Sequence, residues 1–108
     1  MEQDKPLMKS AEEVTEAEFI YSNTNPFTVY QPESGQLRID FELIDPAAVS
    51  LSVYDLNGRE LQSLIRNQTF SSGTHTVIRD LSVRDYPSVC LVKYTVNGNL
   101  NIKKIQLK

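Results

Sequence analysis

The chain has 108 residues and 12.3 kDa, room for one domain, and its 40% hydrophobic and 23% charged residues describe an ordinary globular protein. One Cys excludes an internal disulfide and one His excludes a His-rich metal site, while no apolar run nears the ~20 residues of a membrane-spanning helix. The formal charge of −3 is unevenly spread: residues 1–18 hold Glu2, Asp4, Glu12, Glu13, Glu16 and Glu18 against Lys5 and Lys9, leaving the rest close to neutral. A near-neutral body lacks the clustered Lys and Arg that phosphate demands, so no nucleic-acid partner is expected.

Residues 1–18 read as a flexible acidic leader. Met1 is followed by Glu2, Gln3 and Asp4, the opposite of the basic, then apolar, pattern of a secretion signal, which leaves open either a cytoplasmic protein or one whose leader has been removed. Ser10 and Glu13 have capping-box spacing, but Ala11, Val14, Ala17 and Phe19 are too small and sparse for a firm amphipathic helix.

From residue 19 onward the expectation is strands. Residues 18–21 and 27–30 are short candidates on either side of Asn25-Pro26. Residues 36–43 alternate strictly, with Leu37, Ile39, Phe41 and Leu43 on one face and Arg38, Asp40 and Glu42 on the other. That is a half-buried antiparallel strand, broken by Pro46, which cannot donate to a ladder. Val49, Leu51 and Val53 repeat the alternation, and Asp55-Leu56-Asn57-Gly58 makes a turn. Residues 59–65 return as a weaker strand through Leu61 and either Leu64 or Ile65; residues 74–81, rich in β-branched side chains, give another.

Residues 89–96 put Cys90, Val92, Tyr94 and Val96 on one face, with Val89 and Leu91 apolar on the other, the mark of a central strand. Asn97-Gly98 is a two-residue hairpin loop. In the last run Leu100 and Ile102 are expected inward, then Ile105 and Leu107. The odd step predicts a bulge near Lys103-Lys104. About seven strands with turn signals between them, and no helix-period segment, predict an all-β antiparallel sandwich over residues 19–108.

Several of these residues together form a pattern. Asn25-Pro26-Phe27, the run from Val49 to Leu61 centred on Val53-Tyr54-Asp55-Leu56-Asn57-Gly58, Ser72-Gly73-Thr74 and the terminal Lys103, Lys104 and Lys108 resemble the C-terminal sorting domain of type IX (Por) secretion. The resemblance spans roughly residues 25–108. It implies an immunoglobulin-like β-sandwich on exported cargo of Bacteroidota, recognised by an outer-membrane translocon. The pattern departs at Ser88 and Cys90, where the family usually carries a Gly and an aromatic. The chain also resembles free-standing immunoglobulin-like proteins of the same bacteria in length and layout. The implied location is the periplasm, the cell surface or the medium, with a leader removed.

Partner-recognition candidates are Lys103, Lys104 and Lys108, together with Tyr21, Phe27 and Tyr30 around Pro26 and Pro32. Lys103 and Lys104 also fit an edge strand guarded against aggregation, and the aromatics fit the cover of an open sandwich end. A protein partner in the secretion or surface machinery is expected, engaged by strand addition at an exposed edge. No catalytic, cofactor or metal residues are assigned. Asp55, Asn57 and Glu60 offer too few oxygens over too short a span for a calcium loop. Cys90 sits in the most apolar strand, where free thiols behave as small hydrophobes, so a pairing with His75 is not expected. Asn67-Gln68-Thr69 spells a glycosylation sequon to which no role is given.

Overall fold

The computed structural model describes residues 18–21 (backbone only), 25, 27–32, 35–81 and 86–107. Among these it holds eight strands and no helix: β1 (Glu18–Tyr21), β2 (Phe27–Tyr30), β3 (Gln36–Leu43), β4 (Ala47–Tyr54), β5 (Glu60–Phe70), β6 (Gly73–Asp80), β7 (Val89–Val96) and β8 (Asn99–Gln106). They form two antiparallel sheets, ordered β1-β8-β7-β4-β5 and β2-β3-β6. The leader lies outside the described residues, and β1 takes in Glu18.

The period-two pattern explains why the sheets share one core. Leu37, Ile39, Phe41 and Leu43 of β3 and Val49, Leu51 and Val53 of β4 are buried, as are Cys90, Val92, Tyr94 and Val96 of β7. Chain alternation sends their polar neighbours outward. Across the middle, the Tyr94 ring lies 5.0 Å from that of Phe27 and 5.2 Å from that of Phe41, and Phe41 meets Phe70 edge-on at 5.4 Å. These aromatics join both sheets, and each such pair contributes roughly 1 kcal/mol beyond simple area burial. β7 is the central strand of its sheet, as its two apolar faces predict.

The last strand differs from expectation. β7 and β8 pair without interruption from Val96↔Asn99 to Val89↔Gln106, so no bulge falls at Lys103-Lys104. Directly opposed residues point to the same side, and the inward Tyr94, Val92 and Cys90 face Asn101, Lys103 and Ile105. Asn101 and Lys103 therefore enter the core, while Leu100 and Ile102 turn to the outer face. The register break belongs instead to β1, between Phe19 and Tyr21. β8 is not an edge either, because β1 pairs with its Ile102, Lys103 and Lys104.

Two inward polar groups meet partners across the core. The Lys103 ammonium donates to the Phe27 carbonyl at 3.2 Å and lies 5.7 Å from the centre of the Phe27 ring. Asn101 Oδ1 accepts from the Asn25 N–H at 3.4 Å. The buried Tyr94 hydroxyl has no hydrogen-bond partner among the described residues.

β5 is longer and less regular than its sequence pattern suggests. Its pairing with β4 shifts between Val49 and Leu51, between Leu51 and Ser52, and between Val53 and Tyr54. Leu64 and Ile65 are consequently both buried, although they are neighbours in sequence. Asn67 adopts a positive φ of 48°, and its N–H donates to Ser50 Oγ at 2.9 Å. At the other hairpin, Asn97 and Gly98 have φ of 48° and 84°, the paired positive values of a type I′ turn, which a β-branched residue could not adopt cheaply.

Three substitutions and a pH series test this core. Lys103→Ala removes a donor and buried volume together, and is expected to cost about 2–4 kcal/mol in urea unfolding. Lys103→Met keeps the volume but removes the charge-assisted bond to the Phe27 carbonyl, and is expected to cost about 1–2 kcal/mol. Tyr94→Phe, by contrast, is expected to unfold within about 0.5 kcal/mol of the parent, or to be more stable, because no bond is lost. Burial pushes the Tyr94 hydroxyl up to about 12 from an ordinary 10.0, and the Cys90 thiol up to about 11 from 9.0, with Asp55 adding to the thiol's rise. Both shifts favour the protonated fold. The contribution of these two groups to thermal stability should be level up to pH 9, be lost as the pH climbs through 11 and 12, and be smaller in Tyr94→Phe.

Candidate recognition surface

Among the described residues, those singled out by sequence do not converge on one surface. Phe27 is buried against Tyr94, and Lys103 is buried beneath it, so both build the interior. Lys104 is half-buried on the outer face of the five-stranded sheet, opposite Leu91. Tyr30 is half-buried on the outer face of the three-stranded sheet. Tyr21 pairs through its backbone with Ile102, its side chain lies outside the described residues, and Lys108 lies outside them altogether.

His75 and Cys90 are held apart by their surroundings. His75 packs on Phe70 and Phe41, at 5.0 and 5.4 Å between ring centres. Its Nε2 lies 2.7 Å from the Ser71 carbonyl, which can only accept, so that nitrogen carries the proton. The Cys90 thiol is buried and points at the Pro87 carbonyl at 3.3 Å. A thiol pushed up to about 11 is not a nucleophile at neutral pH. No group of three or more potential metal ligands occurs among the described residues, and these residues include no helix long and apolar enough to cross a membrane.

Two surface features are built with more care than the rest. The first is the turn after β4. Asp55 Oδ1 accepts from the N–H groups of Asn57 and Arg59, both at 2.9 Å, and Oδ2 lies 3.3 Å from Arg59 Nε. The backbone closes the same loop, with Asp55 N–H donating to Arg59 C=O at 2.9 Å and Gly58 N–H to Asp55 C=O at 3.1 Å. The hydrogen bond from Arg59, with Asn57 and the guanidinium behind it, holds the Asp55 carboxyl below its ordinary 3.8 against a smaller desolvation effect. A carboxylate committed in this way is a turn clasp, not an ion ligand. Its consequence is that Leu56, 60% exposed, is held out in water beside a groove lined by Leu61, Pro87 and Val89.

The second is the outer face of the three-stranded sheet. Register places Tyr30, Arg38 and Ile78 in one row and Thr28, Asp40 and Thr76 in the next. Arg38 meets Asp40 through two bonds, Nε–Oδ1 at 3.1 Å and Nη2–Oδ2 at 2.9 Å, and Thr76 Oγ1 donates to Asp40 Oδ1 at 2.9 Å. The guanidinium also lies 4.8 Å from the centre of the Tyr30 ring. Sequence alternation had set Arg38 and Asp40 on the outer face; their bidentate pairing and the contribution of Thr76 needed the cross-strand register.

The chain was compared with family models, with curated proteins and with solved structures, and no match was found.

Asp55→Ala is expected to loosen the turn while leaving the sandwich folded. Amide exchange at Asn57 and Arg59 should accelerate, and the melting temperature should fall modestly. Unchanged exchange at both positions would show that the carboxylate does not hold the turn.

Proposed function

We propose that this protein is a non-enzymatic, exported recognition module with an immunoglobulin-like sandwich, resembling the sorting domain of type IX secretion. The strand order supports the fold part. β8-β7-β4-β5 against β2-β3-β6 corresponds to the order G-F-C-C′ against A-B-E of immunoglobulin-like sandwiches, with β1 added beside the last strand. Fold alone does not carry function, so the role rests on a site.

The observation that carries the role is Leu56. The run that resembles the sorting domain folds as the β4–β5 hairpin, and its tip is clasped by Asp55 so that a large aliphatic side chain is kept in solvent. Leu56 lines one groove with Leu61, Pro87 and Val89, so a strip of apolar surface, not a lone side chain, faces solvent there. It suits an apolar anchor presented to a protein partner in the secretion or surface machinery. The working location is the periplasm, the cell surface or the medium.

A second reading, a free-standing structural or adhesion module of the periplasm or outer surface, draws on the Tyr30–Arg38–Asp40–Thr76 network. Tyr and Arg held in fixed geometry are the side chains most enriched at interface centres.

A fusion of residues 19–108 behind a reporter, expressed in a Bacteroidota host with the secretion system, separates the two. Under the sorting role the reporter reaches the cell surface, and Leu56→Asp reduces surface display by about tenfold without changing periplasmic folding. A reporter that stays in the periplasm rules that role out and leaves the free-standing module.

A further inference from the structure

The outermost strands of the two sheets are unequal as docking edges. β1 and β2 have four residues each; β1 breaks register, and β2 is bracketed in sequence by Pro26 and Pro32. β5 breaks register three times. β6 runs eight residues against β3 without a break, and no Pro or Lys falls within it. Leu81 N–H donates to Gly35 C=O at 2.6 Å, continuing the same register, so the odd-numbered residues of β6 spend their backbone groups on β3. By alternation, the N–H and C=O groups of Thr74, Thr76 and Ile78 point to the open side. All three residues are exposed.

Arg79 guards that side. Its Nη1 donates to the Ile78 carbonyl at 2.9 Å, and its Nη2 donates to the Leu64 carbonyl of β5 at 3.2 Å. Leu64 is the residue that the β4–β5 register skips between Ser63 and Ile65. One guanidinium therefore covers an outward carbonyl of β6 and ties it to the bulged edge of the other sheet.

We propose that β6 is a homotypic pairing edge that takes β6 of a second copy, antiparallel, and that Arg79 is the latch the incoming strand displaces. The strand's self-complementarity identifies the occupant. With a two-fold axis at Thr76, Thr76 meets Thr76 and Thr74 meets Ile78, so outward backbone groups meet outward backbone groups. The same register sets Arg79 opposite Gly73 of the copy, whose position has open space with nothing within 4 Å of a Cβ built there. The displaced guanidinium then has room, and no like charges are opposed. Threonine pairs across strands are favourable, and main-chain bonds supply the affinity.

Sedimentation velocity over a concentration series tests this on the full chain. The parent should dimerise weakly, and Arg79→Ala should dimerise about tenfold more tightly. Thr76→Pro removes an outward N–H without taking a bond from the β3 ladder, and should return Arg79→Ala to monomer. Amide exchange of Arg79→Ala locates the contact without a second substitution: Thr74, Thr76 and Ile78 should slow as concentration rises. Arg79→Ala no tighter than the parent overturns the proposal, as does concentration-dependent protection confined to β1, β2 or β5.

Discussion

A two-residue loop leaves β7 and β8 no choice of register. Asn97 and Gly98 take the positive φ values of a type I′ turn, Val96 is then opposite Asn99, and every later pair follows two by two. Because Cys90, Val92 and Tyr94 belong to the dry side, Ile105, Lys103 and Asn101 go there with them. A bulge would have turned Ile105 and Leu107 to the same side as Leu100 and Ile102, but it would have broken the central ladder of the larger sheet. The polar side chains are instead accommodated: Lys103 finds the Phe27 carbonyl and Asn101 the Asn25 N–H, both at the entry to β2. Those bonds join the two sheets on the side where the chain first crosses between them. A buried ammonium costs several kcal/mol to desolvate, so the position tolerates it only because its partner is fixed.

The same register has a consequence outside. Leu100 and Ile102 share the outer face of the five-stranded sheet with Leu91 and with Lys93, whose ammonium lies 4.0 Å from the centre of the Tyr54 ring. The sheet thus carries polar groups within and apolar groups without, an inversion that simple sorting by hydropathy would not produce. The edges are managed by separate devices: brevity in β1 and β2, repeated bulges in β5, and a side chain across β6. Bulges and short strands are built into the backbone, whereas a guanidinium moves by rotation about side-chain bonds, so β6 alone can be opened without remodelling the sheet.

Legibility in the sequence tracked how local each determinant is. β3, β4 and β7 were readable because their period of two is unbroken over eight residues. β5 was half-read because three register shifts scramble its period, bringing neighbours Leu64 and Ile65 to the same dry region. β8 does not follow the sorting of its own apolar residues; the Cys90–Val96 face carried across the Asn97-Gly98 turn puts Lys103 inside. Phe27 and Tyr30 are three apart in one strand, so alternation alone places them on opposite faces and forbids a shared patch. Nothing local marks Arg79. Its role depends on the Leu64 carbonyl of the other sheet coming within reach of its guanidinium, which is a tertiary fact.

Recognition by contact needs a surface whose shape exists before the partner arrives. The ion pair of Arg38 with Asp40 is partly in solvent, with side-chain exposures of 36% and 21%, and such pairs contribute about 0–1 kcal/mol to folding. Stability is therefore not what the arrangement supplies. Two parallel bonds, a threonine hydroxyl and an aromatic face fix a long side chain in one rotamer, and immobilising such a side chain at the moment of binding would cost about 1 kcal/mol. The Asp55 clasp does the same for the loop that carries Leu56. In both places the ordering cost is met during folding, where the whole core shares it, so the partner proposed above would draw on apolar burial at Leu56 and on a preset polar pattern at Arg38 without first freezing the chain.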